Sequence, residues 1–204
     1  MLNKKVKIAV FVSGGGTNLQ AILESERRGE IPNGEIALVL SNNAGAYALE
    51  RAKNFGVKSV CVDKTVYKTL KDREEKTVEI LKENGIELIV LAGYLSILSE
   101  EFTKLYEGRI INVHPSLIPS FCGKGYYGLK VHEEALKYGV KVTGATVHFV
   151  NEIPDGGEII MHKAVYIEEG DTPEVLQKRV MQQAEWIILP LSVQKIAKSL
   201  KEQL

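Results

Sequence analysis

The chain holds 204 residues, 45% of them hydrophobic, with 26 Lys+Arg against 26 Asp+Glu and a formal net charge of zero. That is enough apolar material for a core and too even a charge for a generally basic nucleic-acid binder. Cys61 and Cys122 have no CxxC spacing, which excludes a disulfide scaffold or structural zinc cluster and points to the cytoplasm. No apolar run approaches the roughly 18 residues that span a bilayer, so no membrane partner is expected. The run Val6–Val12 is cut off by Ser13 too soon for a secretory signal.

In chain order, Val6–Val12 reads as a buried strand, and Thr17 or Asn18 is available to cap the helix that follows. Ile36–Leu40 is a strand, Ala46–Phe55 a helix closing at Gly56, and Ser59–Val62 a short strand. Leu70–Asn84 is a charged helix, Glu87–Ala92 a strand, Ser99–Tyr106 a short helix and Arg109–Val113 a strand. A Pro- and Gly-rich loop over Pro115–Gly128 leads into a helix at Val131–Tyr138. Strands at Val142–Val150 and Glu158–Ile167 come next, and a long helical region runs over Thr172–Leu200 with a kink expected at Pro190. The alternation predicts an α/β fold, a Rossmann-like mostly parallel sheet with helices on both faces. The Asn151–Gly157 connector is too short for a crossover helix, so the last two strands should pair antiparallel. One domain is expected over residues 1–204, with a phosphate-binding half at 1–110 and a second half at 111–204.

Two constellations carry chemistry. Ser13-Gly14-Gly15-Gly16-Thr17-Asn18 follows a strand and opens a helix, where glycines admit an anion to free backbone N–H groups. Leu19 occupies the third glycine position of a dinucleotide fingerprint, so a mononucleotide or sugar phosphate fits better than NAD; an unliganded tight turn is the plain alternative. Asn112 and His114, two apart on a strand stopped by Pro115, project to one side at the sheet edge where such folds bind ligands. A carboxamide stabilises an oxyanion and an imidazole moves protons; the plain alternative is a strand-end His capping a turn. Asp155-Gly156 is a turn signal, or a carboxylate that raises the His114 pKa. His148 reads as packed, though lining the pocket is open to it, and His132 and His162 read as structural. No metal-ligand spacing is present, so no metal is expected. Gly123–Gly128 matches G-x-G-x-x-G by letter but lacks a βαβ context and reads as a mobile loop.

SGGGTNLQAI, SNNAGAYALERA, VLAGYLSILS, INVHPSLIPSF, TGATVHFVNEIPDGG and AEWIILPL, in that order, resemble phosphoribosylglycinamide formyltransferases over about Val6–Leu191. The resemblance implies 10-formyltetrahydrofolate as co-substrate, glycinamide ribonucleotide as acceptor and a place in purine synthesis. It implies that Asn112, His114 and Asp155 are catalytic, that Gly16, Thr17, Asn18 and Glu185 hold the acceptor, and that the 111–204 half also carries folate contacts. Leu95, Ser96, Ile97 and Leu98, with Asn112, Asn151, Glu152, Ile153, Pro154 and Asp155, would border the folate. The chain departs from the family pattern in a longer Phe121–Leu129 loop and an extra residue between Arg179 and Glu185. The basic folate contact is also displaced, leaving Lys68, Lys71 and Arg73 as alternatives.

The expected chemistry is direct attack of the acceptor amine on the formyl carbon, with Asn112 and a protonated His114 on the oxyanion. Small-molecule partners and a monomer or homodimer go with that reading. A deformylase with an added regulatory domain and a methionyl-tRNA formyltransferase with an added tRNA domain share the core. A non-catalytic nucleotide-phosphate sensor is the alternative of another class.

Overall fold

The computed structural model describes residues 4–203. Its strands are β1 (Val6–Val12), β2 (Gly34–Ser41), β3 (Ser59–Cys61), β4 (Leu88–Leu91), β5 (Ile110–His114), β6 (Val142–Phe149) and β7 (Ile159–Tyr166). The helices are α1 (Thr17–Arg27), α2 (Tyr47–Asn54), α3 (Leu70–Glu83), α4 (Glu100–Leu105), α5 (Leu129–Tyr138), α6 (Pro173–Val180) and α7 (Trp186–Glu202). The first strand has its expected bounds, and no other end moves by more than two residues.

One sheet takes all seven strands in the order β3-β2-β1-β4-β5-β6-β7 and crosses the expected boundary at residue 110. Alternation along β1 shows why helices cover both faces. Val6, Ile8, Val10 and Val12 enter one core, under α1, α2, α6 and α7; Ala9 and Phe11 enter the other, under α3 and α4. The chain starts in the middle of the sheet, runs out through β2 to β3, and returns to β4 on the far side of β1. This reversal opens a crevice past the carboxyl ends of β1 and β4, the place where open α/β sheets bind ligands.

β6 and β7 pair antiparallel, as the short connector requires. β6 is also antiparallel to β5, which the sequence did not announce. The loop after β5 and helix α5 bring the chain back to the end where β5 stops, and Thr146 fixes that loop by accepting from Ile118 N at 3.1 Å and donating to the Ser116 carbonyl at 2.6 Å.

One helical expectation needs correction. Neither Thr17 nor Asn18 caps α1; the cap position is Gly16, in the left-handed region at φ 73° with no side-chain cap bond. Only a residue without a Cβ fits there, because an added Cβ would lie 2.6 Å from Ala48 Cβ. In the C-terminal helical region, α7 runs through Pro190. The irregularity is a π turn at Met181–Glu185, between α6 and α7. A π turn houses one more residue than an α turn. Gln182 and Gln183 are exposed there, while Glu185 is turned inward to meet Asn18 Nδ2 of α1 at 2.7 Å.

Gly144 of β6 faces the Lys163 carbonyl oxygen, which a Cβ would meet at 2.1 Å. Gly144→Ala should therefore destabilise the fold by about 1–3 kcal/mol, the usual range for forced overpacking, read as a lower urea midpoint. Burial pushes the Glu185 carboxyl up to about 7, against the hydrogen bond from Asn18. A carboxyl that holds its proton more tightly folded than unfolded stabilises below its unfolded pKa and loses that contribution as pH rises toward 7. Relative to wild type, Glu185→Gln should gain urea stability between pH 5 and pH 8.

Candidate functional site

Strand parity builds the centre of the site. Val113 and Val147 point into the core beneath α1 and α7, so Asn112, His114, Thr146 and His148 share the opposite face. Antiparallel register sets Asn112 beside His148 and His114 beside Thr146. The β6–β7 connector folds back over that face and delivers Asp155, in the left-handed region at φ 57°. Asp tolerates this conformation better than most residues. Its Oδ2 lies 3.5 Å from His114 Nδ1, and its Oδ1 lies 3.5 Å from His148 Nε2. The Gly123 amide donates to Oδ2 at 2.8 Å.

Hydrogen-bond partners fix the roles of the two rings. His148 Nδ1 lies 2.7 Å from the Phe149 carbonyl, which only accepts, so that nitrogen carries the proton. Its Nε2 lies 3.2 Å from the Asn112 carboxamide nitrogen and faces Asp155 as well. This contact orients the amide and leaves an N–H for a ligand. His114 Nε2 lies 2.9 Å from the Phe121 carbonyl. The two His114 nitrogens thus face acceptors on both sides, the carbonyl and the Asp155 carboxylate.

Asp155 acts on the His114 pKa in the expected, raising direction, but burial outweighs it. Burial lowers the pKa, and the Asp155 carboxylate and Phe121 carbonyl recover only part of that loss, so His114 titrates below its ordinary value. Desolvation dominates because His114 is 4% exposed. Burial also pushes the Asp155 carboxyl up, but His148, the charge of His114 and the Gly123 amide outweigh it, and the net shift is down.

The glycine turn occupies the crevice. Its carbonyls are committed elsewhere: Ser13 O accepts from Asn43, Gly14 O from the Ala48 amide and Gly15 O from Arg51 Nε at 2.8 Å. With the carbonyls turned away and the first α1 amides lacking intrahelical acceptors, the turn suits an anion. Gly16, Thr17 and Asn18 border a hollow of about 210 Å³ there. Asn18 and Glu185 also line a larger cavity of about 570 Å³, together with Asn112, His114, His148 and Asp155.

Residues 95–98 and 151–155 line the same large cavity. Leu95, Ile97 and Ile153 are exposed apolar side chains, and Ser96 accepts from Asn42 at 2.7 Å. These strips suit a flat, partly apolar ligand. The 123–128 loop is part of the cavity wall, not a detached surface loop. Of the basic residues left open, Arg73 Nη1 binds the Tyr67 and Lys68 carbonyls and Lys71 faces Glu75 at 3.8 Å. His132, read from the sequence as structural, lines the cavity, and so does His148, for which that place had been left open. His148 shares the parity of Thr146, a signal that becomes legible only once β6 is known to lie beside β5. Among the described residues, no group of three or more His, Cys, Asp or Glu could hold a metal ion, and no helix is long and apolar enough to cross a membrane.

Comparison with known proteins bears on this geometry. The formyl transferase family profile matches residues 6–192. The phosphoribosylglycinamide formyltransferase of Haemophilus influenzae is 40% identical over 187 residues, covering 92% of this chain and 85% of that protein. The trifunctional purine biosynthetic protein adenosine-3 of Gallus gallus is 42% identical over 193 residues; they are 95% of this chain and only 18% of that protein's length. Among solved structures, glycinamide ribonucleotide transformylase 1 from Symbiobacterium toebii superposes with a TM-score of 0.89 at 39% identity, covering 98% of this chain and 90% of that one. The chain belongs to the formyl transferase family.

Proposed function

We propose that this chain transfers the formyl group of 10-formyltetrahydrofolate to the amine of glycinamide ribonucleotide, a step of purine biosynthesis. The observation that carries the reading is the convergence of Asn112, His114 and Asp155 on one cavity whose far end reaches the glycine turn. The names of the relatives agree with it. In this reading the turn at residues 14–18 anchors the acceptor phosphate and Glu185 holds the acceptor beside it. Residues 95–98 and 151–155 border the folate. The partners are small molecules, the chain is a monomer or homodimer without nucleic-acid or membrane partners, and its place is the cytoplasm.

The acceptor amine forms a bond to the formyl carbon and the carbonyl oxygen becomes negative. The free N–H of Asn112 stabilises that oxygen. His114 and Asp155, 3.5 Å apart, act as the pair that takes up the proton the amine must lose, the carboxylate compensating the imidazolium. The proton then passes to the folate nitrogen as its bond to the formyl carbon breaks, so no covalent enzyme intermediate is needed. Side-by-side anchoring of two substrates supplies the remaining advantage, because it turns a two-body encounter into a positioned one.

Steady-state kinetics with both substrates test the assignment. Asn112→Ala should lower kcat by about 10²–10³-fold, the usual loss for one oxyanion donor, and His114→Ala by about 10²–10⁴-fold, each with little change in KM. His148→Phe, which removes the ring nitrogen that orients Asn112, should lower kcat by less than Asn112→Ala does. Near-normal kcat in His114→Ala refutes the mechanism. The acid limb of the kcat/KM profile should lie below the ordinary imidazole value of about 6.5, and Asp155→Asn should move it lower still, since the carboxylate is what favours the imidazolium.

A further inference from the structure

His132 stands in the first turn of α5, with Gly128 at the helix cap, and its side chain is fully buried. Neither ring nitrogen makes a hydrogen bond among the described residues. A neutral imidazole carries one N–H and one lone pair, and native proteins seldom leave both unmade in the interior. Packing alone would be served as well by an aromatic or aliphatic side chain, with no polar atoms to desolvate.

The surroundings indicate what those atoms are for. His132 lines the large cavity together with Gln177 and Glu185, on the side of α6 and the π turn. Asn18 lines it too, and its Oδ1 is likewise buried without a hydrogen bond, while its Nδ2 is spent on Glu185. Two unmade polar side chains from α1 and α5 therefore border one cavity. Burial, and secondarily His114, push the His132 imidazole down to about 4. The positive end of the α5 dipole acts in the same direction. The ring is therefore neutral at physiological pH, able to give one hydrogen bond and take another without competing with His114 for the transferred proton.

We propose that His132 is a substrate-contacting residue, whose ring gives and takes hydrogen bonds with the hydroxyl and amide groups of the ribonucleotide acceptor, completing a polar surface begun by Asn18 and Glu185. The proposal rests on the acceptor assignment made above and adds a residue to it. His132 is a binding and positioning group, distinct from the proton carrier His114.

The test pairs kinetics with nuclear magnetic resonance. His132→Phe keeps a ring of similar size and removes both hydrogen bonds; it should raise the acceptor KM by about tenfold, the equivalent of one net hydrogen bond, and leave the donor KM within about twofold. His132→Gln, which retains a donor and an acceptor, should recover part of the loss. In the wild-type chain labelled with 15N at histidine, glycinamide ribonucleotide should shift the His132 ring resonances, and a folate analogue alone should not. That measurement stands even where a variant fails to fold. An unchanged acceptor KM in folded His132→Phe, or unmoved His132 resonances at saturating acceptor, overturns the proposal while formyl transfer by wild type stands. Shifted resonances in a chain that transfers no formyl group overturn the transferase reading and leave the His132 contact in place.

Discussion

A single carboxylate held between two buried imidazoles is the constraint around which this site is arranged. Asp155 reaches His114 with one oxygen and His148 with the other, each at 3.5 Å, and the Gly123 amide secures it from a third direction. Through His148 it is linked to the carboxamide of Asn112. Two stretches distant in sequence are thereby tied to one functional group: β5 with the loop before α5, and β6 with the β6–β7 connector. Such a network gains most when every member is satisfied, because an unpaired polar group in a low-dielectric interior is costly.

The same network explains why burial governs His114 more than its neighbouring negative charge does. A ring 4% exposed has lost nearly all the water that would stabilise its charged form. A carboxylate at 3.5 Å restores part of it. In the proposed reaction this gives an imidazole whose counter-charge is already in position when it acquires a proton, an instance of electrostatic preorganisation. The Asn18–Glu185 contact follows the same logic at the other end of the cavity. A buried carboxyl with one neutral donor is poorly solvated, and a ligand that brings further donors relieves that cost.

Much of this was legible in the sequence. Val6–Val12 announced its strand because a β-branched apolar run cut off by Ser-Gly-Gly-Gly has few other ways to fold, and Asn112 with His114 stood out because period-two geometry aims both the same way. The antiparallel entry of β6 was hidden, since nothing local distinguishes a strand that joins its neighbour from the opposite direction. The place of His148 stayed open with it, because its significance depends on that register. Gly16 displaced Thr17 and Asn18 as helix cap through a tertiary contact, the close approach of Ala48. His132 looked structural since a sequence does not reveal which buried groups lack partners. The named substrates came from resemblance to relatives, not from periodicity or charge.

The widened turn at Met181–Glu185 has a bearing on the phase of the helix after it. Each residue added to a regular α-helix rotates everything after it by about 100°, which would swing Ile188, Leu189 and Val193 off the core they fill. A local π turn absorbs the addition where it occurs, keeping the downstream face in phase while Gln182 and Gln183 bulge toward solvent. The widened turn therefore confines an irregularity to one blister, with both ends of the segment still in register with the sheet.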